Sequence, residues 1–209
     1  MQQDPGALPE HALLPNRETS DGTHRRLLEE ALVRFGQQGY HGVSVREIAR
    51  AAGVQASSLY SHLESKEQLL FELMLLGHEE HHELLRQVLL ESGNDPVEQL
   101  EGLVTAHVVF HATFPLLARI CNRELASLGP ANRDRVVAVR RQSEQLLVDV
   151  INRGVRLEVF NVPDPWLAAA AIGAMGIRVA EWWSDEVPYS VEEVARAYRL
   201  FALRLLKEP

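Results

Sequence analysis

The chain has 209 residues, 46% of them hydrophobic, a single cysteine and a formal net charge of −8. That length can bury one or two modest cores, and one thiol excludes an internal disulfide and fits a reducing cytoplasm. No apolar run approaches the roughly 18 residues needed to cross a bilayer, and no Walker loop, dinucleotide glycine fingerprint or nucleophile elbow is present.

Residues 1–21 carry Pro5, Pro9 and Pro15 with little periodicity. They have neither the basic start nor the apolar stretch of a signal peptide and read as a disordered arm. Thr23 to Gln38 predicts an amphipathic helix with Leu27, Leu28, Ala31, Leu32 and Phe35 inward, ending at Gly39. Ser44 and Glu47 have the spacing of a capping box, and Val45, Ile48, Ala49 and Ala52 line one face of the helix they open. Gly53 supplies a left-handed turn. A second short helix, Gln55 to His62, follows with Leu59 apolar and Gln55, Ser57, Ser58 and Ser61 outward. Two short helices about a glycine turn, the second small and polar outside, are how a helix-turn-helix presents a recognition helix to a major groove.

Ser65 to Gln68 has the form of another capping box, opening a long helix through Leu69, Leu70, Phe71, Leu73 and Met74. Asp95-Pro96 caps a helix to about Thr113, Pro115 starts one to about Leu128, and Ala131 to about Asn152 forms a long charged one. Gly154 to Pro163 is the least regular stretch. Asp164-Pro165 opens a helix to Trp183, and Ser190 to Glu193 caps the last, to Leu206. The expected fold is all-α with about nine helices: an arm (1–21), a helix-turn-helix head (22–68) and a helical effector-binding and dimerisation domain (69–209). The small residues Ala168 to Ala171, Gly173, Ala174 and Gly176 suit close helix approach. With Ala195, Tyr198, Leu200, Phe201, Leu203 and Leu206 they predict a dimer face, the alternative being packing inside one chain.

The negative charge weighs against DNA binding until it is localised. From Gly22 to Leu70, Arg25, Arg26, Arg34, Arg46, Arg50 and Lys66 face Glu29, Glu30, Glu47, Glu64 and Glu67, a net +1. A near-neutral head predicts weak non-specific binding and a modest salt slope, so that affinity depends on pairing two heads.

The stretch ALVRFGQQGYHGVSVREIARAAGVQASSLYSHLESKEQLL, Ala31 to Leu70, resembles the TetR/AcrR family of repressors in order and without a gap. Leu63, Ser61 and Ala56 depart from the family's usual residues and bear on which operator is read. The resemblance implies a cytoplasmic homodimeric regulator, with repression the family norm, that binds a palindromic double-stranded DNA operator and has no cofactor, enzyme activity or membrane association. Gln55, Ser57, Ser58 and Ser61 would reach base edges, while Ser44, Arg46, Tyr60, His62 and Lys66 would hold phosphates. The segment Ala106 to Pro130 resembles a subgroup of fatty-acid and steroid catabolism regulators, which implies a hydrophobic effector such as an acyl-CoA thioester. His107, Phe110, His111, Phe114, Trp182 and Trp183 are the candidate lining for its acyl group. Arg119, Arg123 and Arg178 are candidates for its phosphates or carboxylate, unless they pair with neighbours such as Glu124 or Glu181.

His78-Glu79-Glu80-His81-His82 spells the zinc-hydrolase pattern H-E-x-x-H. Leu85 and Val88 stand where its extended form places Gly and His, and a solvated charged helix face explains it better. The pairs His78/His82 and His107/His111, each spaced i, i+4, leave a metal-responsive regulator as the alternative, although no metal ligand set is assigned.

Overall fold

A computed structural model describes residues 13–16, 22–54, 65–184 and 186–207. Eight α-helices are found among them: α1 (Gly22–Gln38), α2 (Val45–Ala51), α3 (Lys66–Glu91), α4 (Pro96–Thr113), α5 (Pro115–Arg123), α6 (Pro130–Arg156), α7 (Pro165–Trp182) and α8 (Val191–Leu205). The described residues contain no strand; a lone bridge joins Asn161 to Lys207.

The starts of these helices follow from local chemistry. Both halves of the Ser44–Glu47 box are made: the Glu47 N–H donates to Ser44 Oγ at 3.3 Å, and the Ser44 N–H donates to the Glu47 carboxylate at 2.8 Å. Ser190 and Glu193 repeat the arrangement at α8. At α3 half of the expected box forms: Ser65 Oγ accepts from the Gln68 N–H, but the Gln68 amide turns forward and donates to Glu72. Asp95 and Asp164 cap α4 and α7, each followed by a proline whose missing N–H costs nothing in a first turn. Gly39 and Gly53, at φ +73° and +70°, make the left-handed turns that end α1 and follow α2.

Two boundaries differ from expectation. The helix begun at Pro115 stops at Arg123, not Leu128, because Leu125–Ser127 tighten into a 3-10 turn. Ser127 Oγ donates to the Glu124 carboxylate there, and Leu128 is buried in the core. The long charged helix runs four residues past Asn152, to Arg156. The Gly154 carbonyl accepts the N–H groups of Val159 and Phe160, folding the Phe160 ring onto Gly154 where a Cβ would meet it at 2.0 Å.

The head core is continuous with the body. Leu27, Leu32, Phe35, Ile48, Leu69, Leu70 and Met74 share one cluster with Leu117, Ile120 and Cys121 of α5 and Val136 of α6. At Gly36 a Cβ would lie 2.2 Å from Leu116 Cδ1, so α1 and α5 pack in close contact. A second cluster joins α3, α4, α6, α7 and α8 through Leu85, Leu100, Leu103, Ile151, Ile172 and Leu206. No single described helix is long and apolar enough to cross a membrane; α4 and α5, which reach that length and composition only together, bend by 99° between them.

Candidate functional site

In the head, Gln55, Ser57, Ser58, Tyr60, Ser61 and His62 lie outside the described residues. Arg46 is exposed on α2. The Ser44 hydroxyl belongs to its helix cap, accepting from the Glu47 N–H and donating to the Glu47 carboxylate at 2.7 Å. Those hydrogen bonds hold the Glu47 carboxyl below its ordinary range. Lys66 points inward: its ammonium donates to the carbonyls of Tyr40 at 2.8 Å and Val43 at 2.9 Å and sits 4.2 Å from the Tyr40 ring centroid. It ties the start of α3 to the loop that orients α2.

Replacing Lys66 by alanine strands two carbonyls and removes charge-assisted bonds, a loss of about 2 kcal/mol in stability. Affinity should then fall about equally for all DNA. Salt titration identifies the cause: a lost phosphate contact lowers the slope of log affinity against log salt by about 0.9, whereas a loosened head leaves it unchanged.

The body holds a partly open cavity of about 250 Å³. α3 gives Gly77, His78, His81 and Leu85; α4 gives Leu103, Val104, His107, Phe110 and His111; α5 gives Ala118, Cys121 and Asn122. α6 closes one side with Arg140, Ser143, Glu144, Leu147 and Val148, and α7 another with Trp166, Ala169, Ala170, Ile172, Gly173, Ala174 and Ile177. Glycines let the wall helices pack closely: at Gly77 a Cβ would approach Cys121 Sγ to 2.7 Å, and at Gly176, behind the wall, one would lie 2.0 Å from His107 Cδ2. Gly176 therefore packs inside the chain, whereas Ala170, Ala171 and Ala174 stay exposed.

Of the nine expected effector residues, the structure brings His107, Phe110 and His111 to the cavity wall. The other six lie outside it, each with its own surroundings. Phe114 stacks on Phe110 at 5.5 Å between ring centroids. Arg119 donates to the Ala180 carbonyl at 3.2 Å, and Arg123 pairs with Glu181 at 2.5 Å, the neighbour pairing that the sequence left open. Arg178 and Trp182 are exposed on α7. Trp183 packs beside Val191 and Val194, its indole N–H donating to the Tyr189 carbonyl at 3.1 Å. Sequence reasoning missed His81, Arg140, Ser143 and Glu144. The last three share one face of α6 at i, i+3 and i+4, a spacing also shown by an ordinary solvated helix.

The H-E-x-x-H histidines are not part of a metal-ligand cluster among the described residues. His78 lines the cavity, whereas His82 Nδ1 lies 3.4 Å from Ser143 Oγ. The residue between them, His81, joins His107 and His111 instead. Burial holds His81, His107 and His111 below the ordinary histidine range, and burial with the nearby Arg140 charge pushes His78 down to about 4. Burial also pushes the Cys121 thiol up to about 12.

These imidazoles make the fold acid-sensitive. A depressed histidine contributes stability that is complete above its unfolded pKa of about 6.5 and is lost as pH falls toward its folded value. His78 alone should remove about 2 kcal/mol between pH 7 and pH 5. Urea denaturation at those two pH values checks this, and His78→Gln should shrink the difference by about that amount, the other three histidines keeping the rest.

Two family models match the chain: "Bacterial regulatory proteins, tetR family" over residues 27–73 and "Tetracyclin repressor-like, C-terminal domain" over residues 93–206. The chain is similar to the HTH-type transcriptional repressor KstR2 of Mycobacterium tuberculosis, at 28% identity over 85% of this chain and 89% of that one. It also matches the structure of PfmR, a TetR family transcriptional regulator from Thermus thermophilus, with TM-score 0.78 and 34% identity over 88% of this chain and 100% of that one. AibR in complex with isovaleryl coenzyme A and operator DNA shares the fold, with TM-score 0.78 and 23% identity over 86% of this chain and 97% of that one.

Proposed function

This chain belongs to the TetR family of bacterial helix-turn-helix regulators, and we propose that it is a dimeric repressor released from a palindromic operator by an acyl-CoA thioester. The carrying observation is the cavity of about 250 Å³ between five helices. It is smaller than the roughly 300–1,000 Å³ that hold a drug-sized ligand, so it takes an acyl group and leaves the nucleotide outside. Leu85, Leu103, Val104, Phe110 and Leu147 supply apolar surface. The isovaleryl-CoA complex of AibR supports this ligand class, and the likeness to the repressor KstR2 supports repression.

The dimer reading rests on apolar side chains left exposed on the last two helices, Trp166, Leu167 and Trp182 of α7 and Leu200, Phe201 and Leu205 of α8. Two heads about 34 Å apart then meet successive major grooves. A contact links the cavity to the head. The Glu67 carboxylate, one residue into α3, accepts the Gly129 N–H at 2.9 Å and the Asn132 amide at 3.0 Å, joining the starts of α3 and α6. Both helices continue into the cavity wall, so an effector that separates them shifts the head. The effector acts only as far as it binds the two arrangements with different affinity.

Fluorescence anisotropy against the DNA upstream of the chain's own gene, titrated with salt and then isovaleryl-CoA and longer esters, tests the reading. Saturable binding reversed by an ester is the expected result; specific binding that no ester reverses removes the effector assignment. Glu67→Ala should keep operator affinity while weakening release roughly 5- to 100-fold, the range of ordinary allosteric coupling.

A further inference from the structure

Four imidazoles line this mostly apolar cavity, those of His78, His81, His107 and His111; an acyl chain has no use for them, and the last three converge. His81 comes from α3, and His107 and His111 lie one turn apart on α4. His81 Nε2 is 2.8 Å from His107 Nδ1, and one ring nitrogen of each histidine falls within 4.8 Å of the others.

The outward hydrogen bonds fix two of the tautomers. His107 Nε2 lies 3.0 Å from the Gly173 carbonyl and His111 Nδ1 lies 2.7 Å from the His107 carbonyl. A carbonyl only accepts, so both nitrogens carry protons, which leaves His107 Nδ1 and His111 Nε2 bare. His81 then donates its Nε2 proton to His107 Nδ1. Backbone carbonyls that hold one N–H of His107 and of His111 while each ring keeps a bare nitrogen are the outer-shell arrangement of histidine metal sites.

We infer that His81, His107 and His111 form a binding site for a divalent late transition metal of the Zn²⁺ class. On binding, the His81 proton moves from Nε2 to Nδ1, Nε2 becomes a ligand, and no net proton is released. Tetrahedral Zn–N bonds of 2.0–2.1 Å place ligand nitrogens about 3.3 Å apart, so the His81–His107 pair opens by about half an ångström. An all-imidazole set selects zinc, nickel or copper over magnesium or calcium. Cys121 shares the wall, but its thiol is directed at the Met74 carbonyl at 3.8 Å and lies outside the cluster of three nitrogens. Three protein ligands leave one position open, and because all three rings line the cavity, an oxygen or sulfur donor of the effector can complete the shell. The metal site stands on the three rings alone; its role in effector capture rests on the reading above.

The test is titration of chelator-treated full-length protein with Co²⁺, followed by Zn²⁺ displacement and calorimetry. The expected result is one equivalent per chain with the intense visible absorption of tetrahedral Co²⁺ and micromolar or tighter Zn²⁺ affinity. His81→Ala and His111→Ala should each weaken it by ~100-fold, with circular dichroism confirming the fold, while His82→Ala leaves it unchanged. Wild-type protein that takes up no stoichiometric metal, or folded His81 and His111 variants that bind as it does, would overturn the inference. Operator anisotropy is scored separately: a chain that binds Co²⁺ but no DNA keeps the metal site and loses the repressor reading, and the converse result does the reverse.

Discussion

Replacing Leu200 and Phe201 together by glutamate should yield a folded monomer whose operator affinity falls by ~10³ or more. Leu200 and Phe201 are 49% and 48% exposed on α8, so neither is needed to close the core of its own chain. Glutamates there put charge into any face that two copies bury, and an unpaired buried carboxylate is strongly unfavourable. The expected size of the loss follows from the head. With a net charge of +1 across Gly22 to Leu70, one head gains little from counterion release. Most specific affinity must then come from two heads held in register. Sedimentation velocity should show the monomer, circular dichroism an unchanged helix content, and anisotropy the lost affinity. A variant that stays dimeric, or a monomer that binds the operator as tightly as before, would remove this face from the interface.

What could be read in the sequence was whatever is encoded within a few residues. The Ser44–Glu47 and Ser190–Glu193 boxes and the Asp-Pro starts at α4 and α7 each close within one turn, so their spacing alone specifies them. The helix from Pro115 was harder to end, because the local signal at Arg123 is weak and only part of the stop is local. The stop depends on Glu124 engaging Ser127 and on Leu128 reaching the core. The cavity was the least legible part. Pairing His78 with His82 counts positions along one helix, but the histidines that meet come from two, and His81 is the α3 member that faces α4. The same limit applies to the arginines, because a sequence does not show that Arg123 sits beside Glu181, 58 residues away.

Gly176→Val should cost about 3 kcal/mol and abolish the response to effector while leaving the head able to bind DNA. A Cβ at this position would lie 2.0 Å from His107 Cδ2 and 2.5 Å from Nε2, well inside contact distance, so the ring has to move. His107 cannot move cheaply. Its Nε2–H is committed to the Gly173 carbonyl and its Nδ1 to His81, and its ring packs at 4.4 Å between centroids against His111. Overpacking of this kind typically costs about 1–3 kcal/mol, and a β-branched residue inside a helix with a broken buried hydrogen bond brings the total to the upper end. Gly176→Ala should show the same direction at smaller size, although alanine is the better helix former. If the close approach of α7 to α4 were incidental, alanine would raise the stability instead. Thermal melting of both variants distinguishes these outcomes. Because Gly176 is buried against His107 whereas Ala170, Ala171 and Ala174 remain exposed, both variants should stay dimeric; a monomeric Gly176→Ala protein would show that the glycine serves the contact between copies.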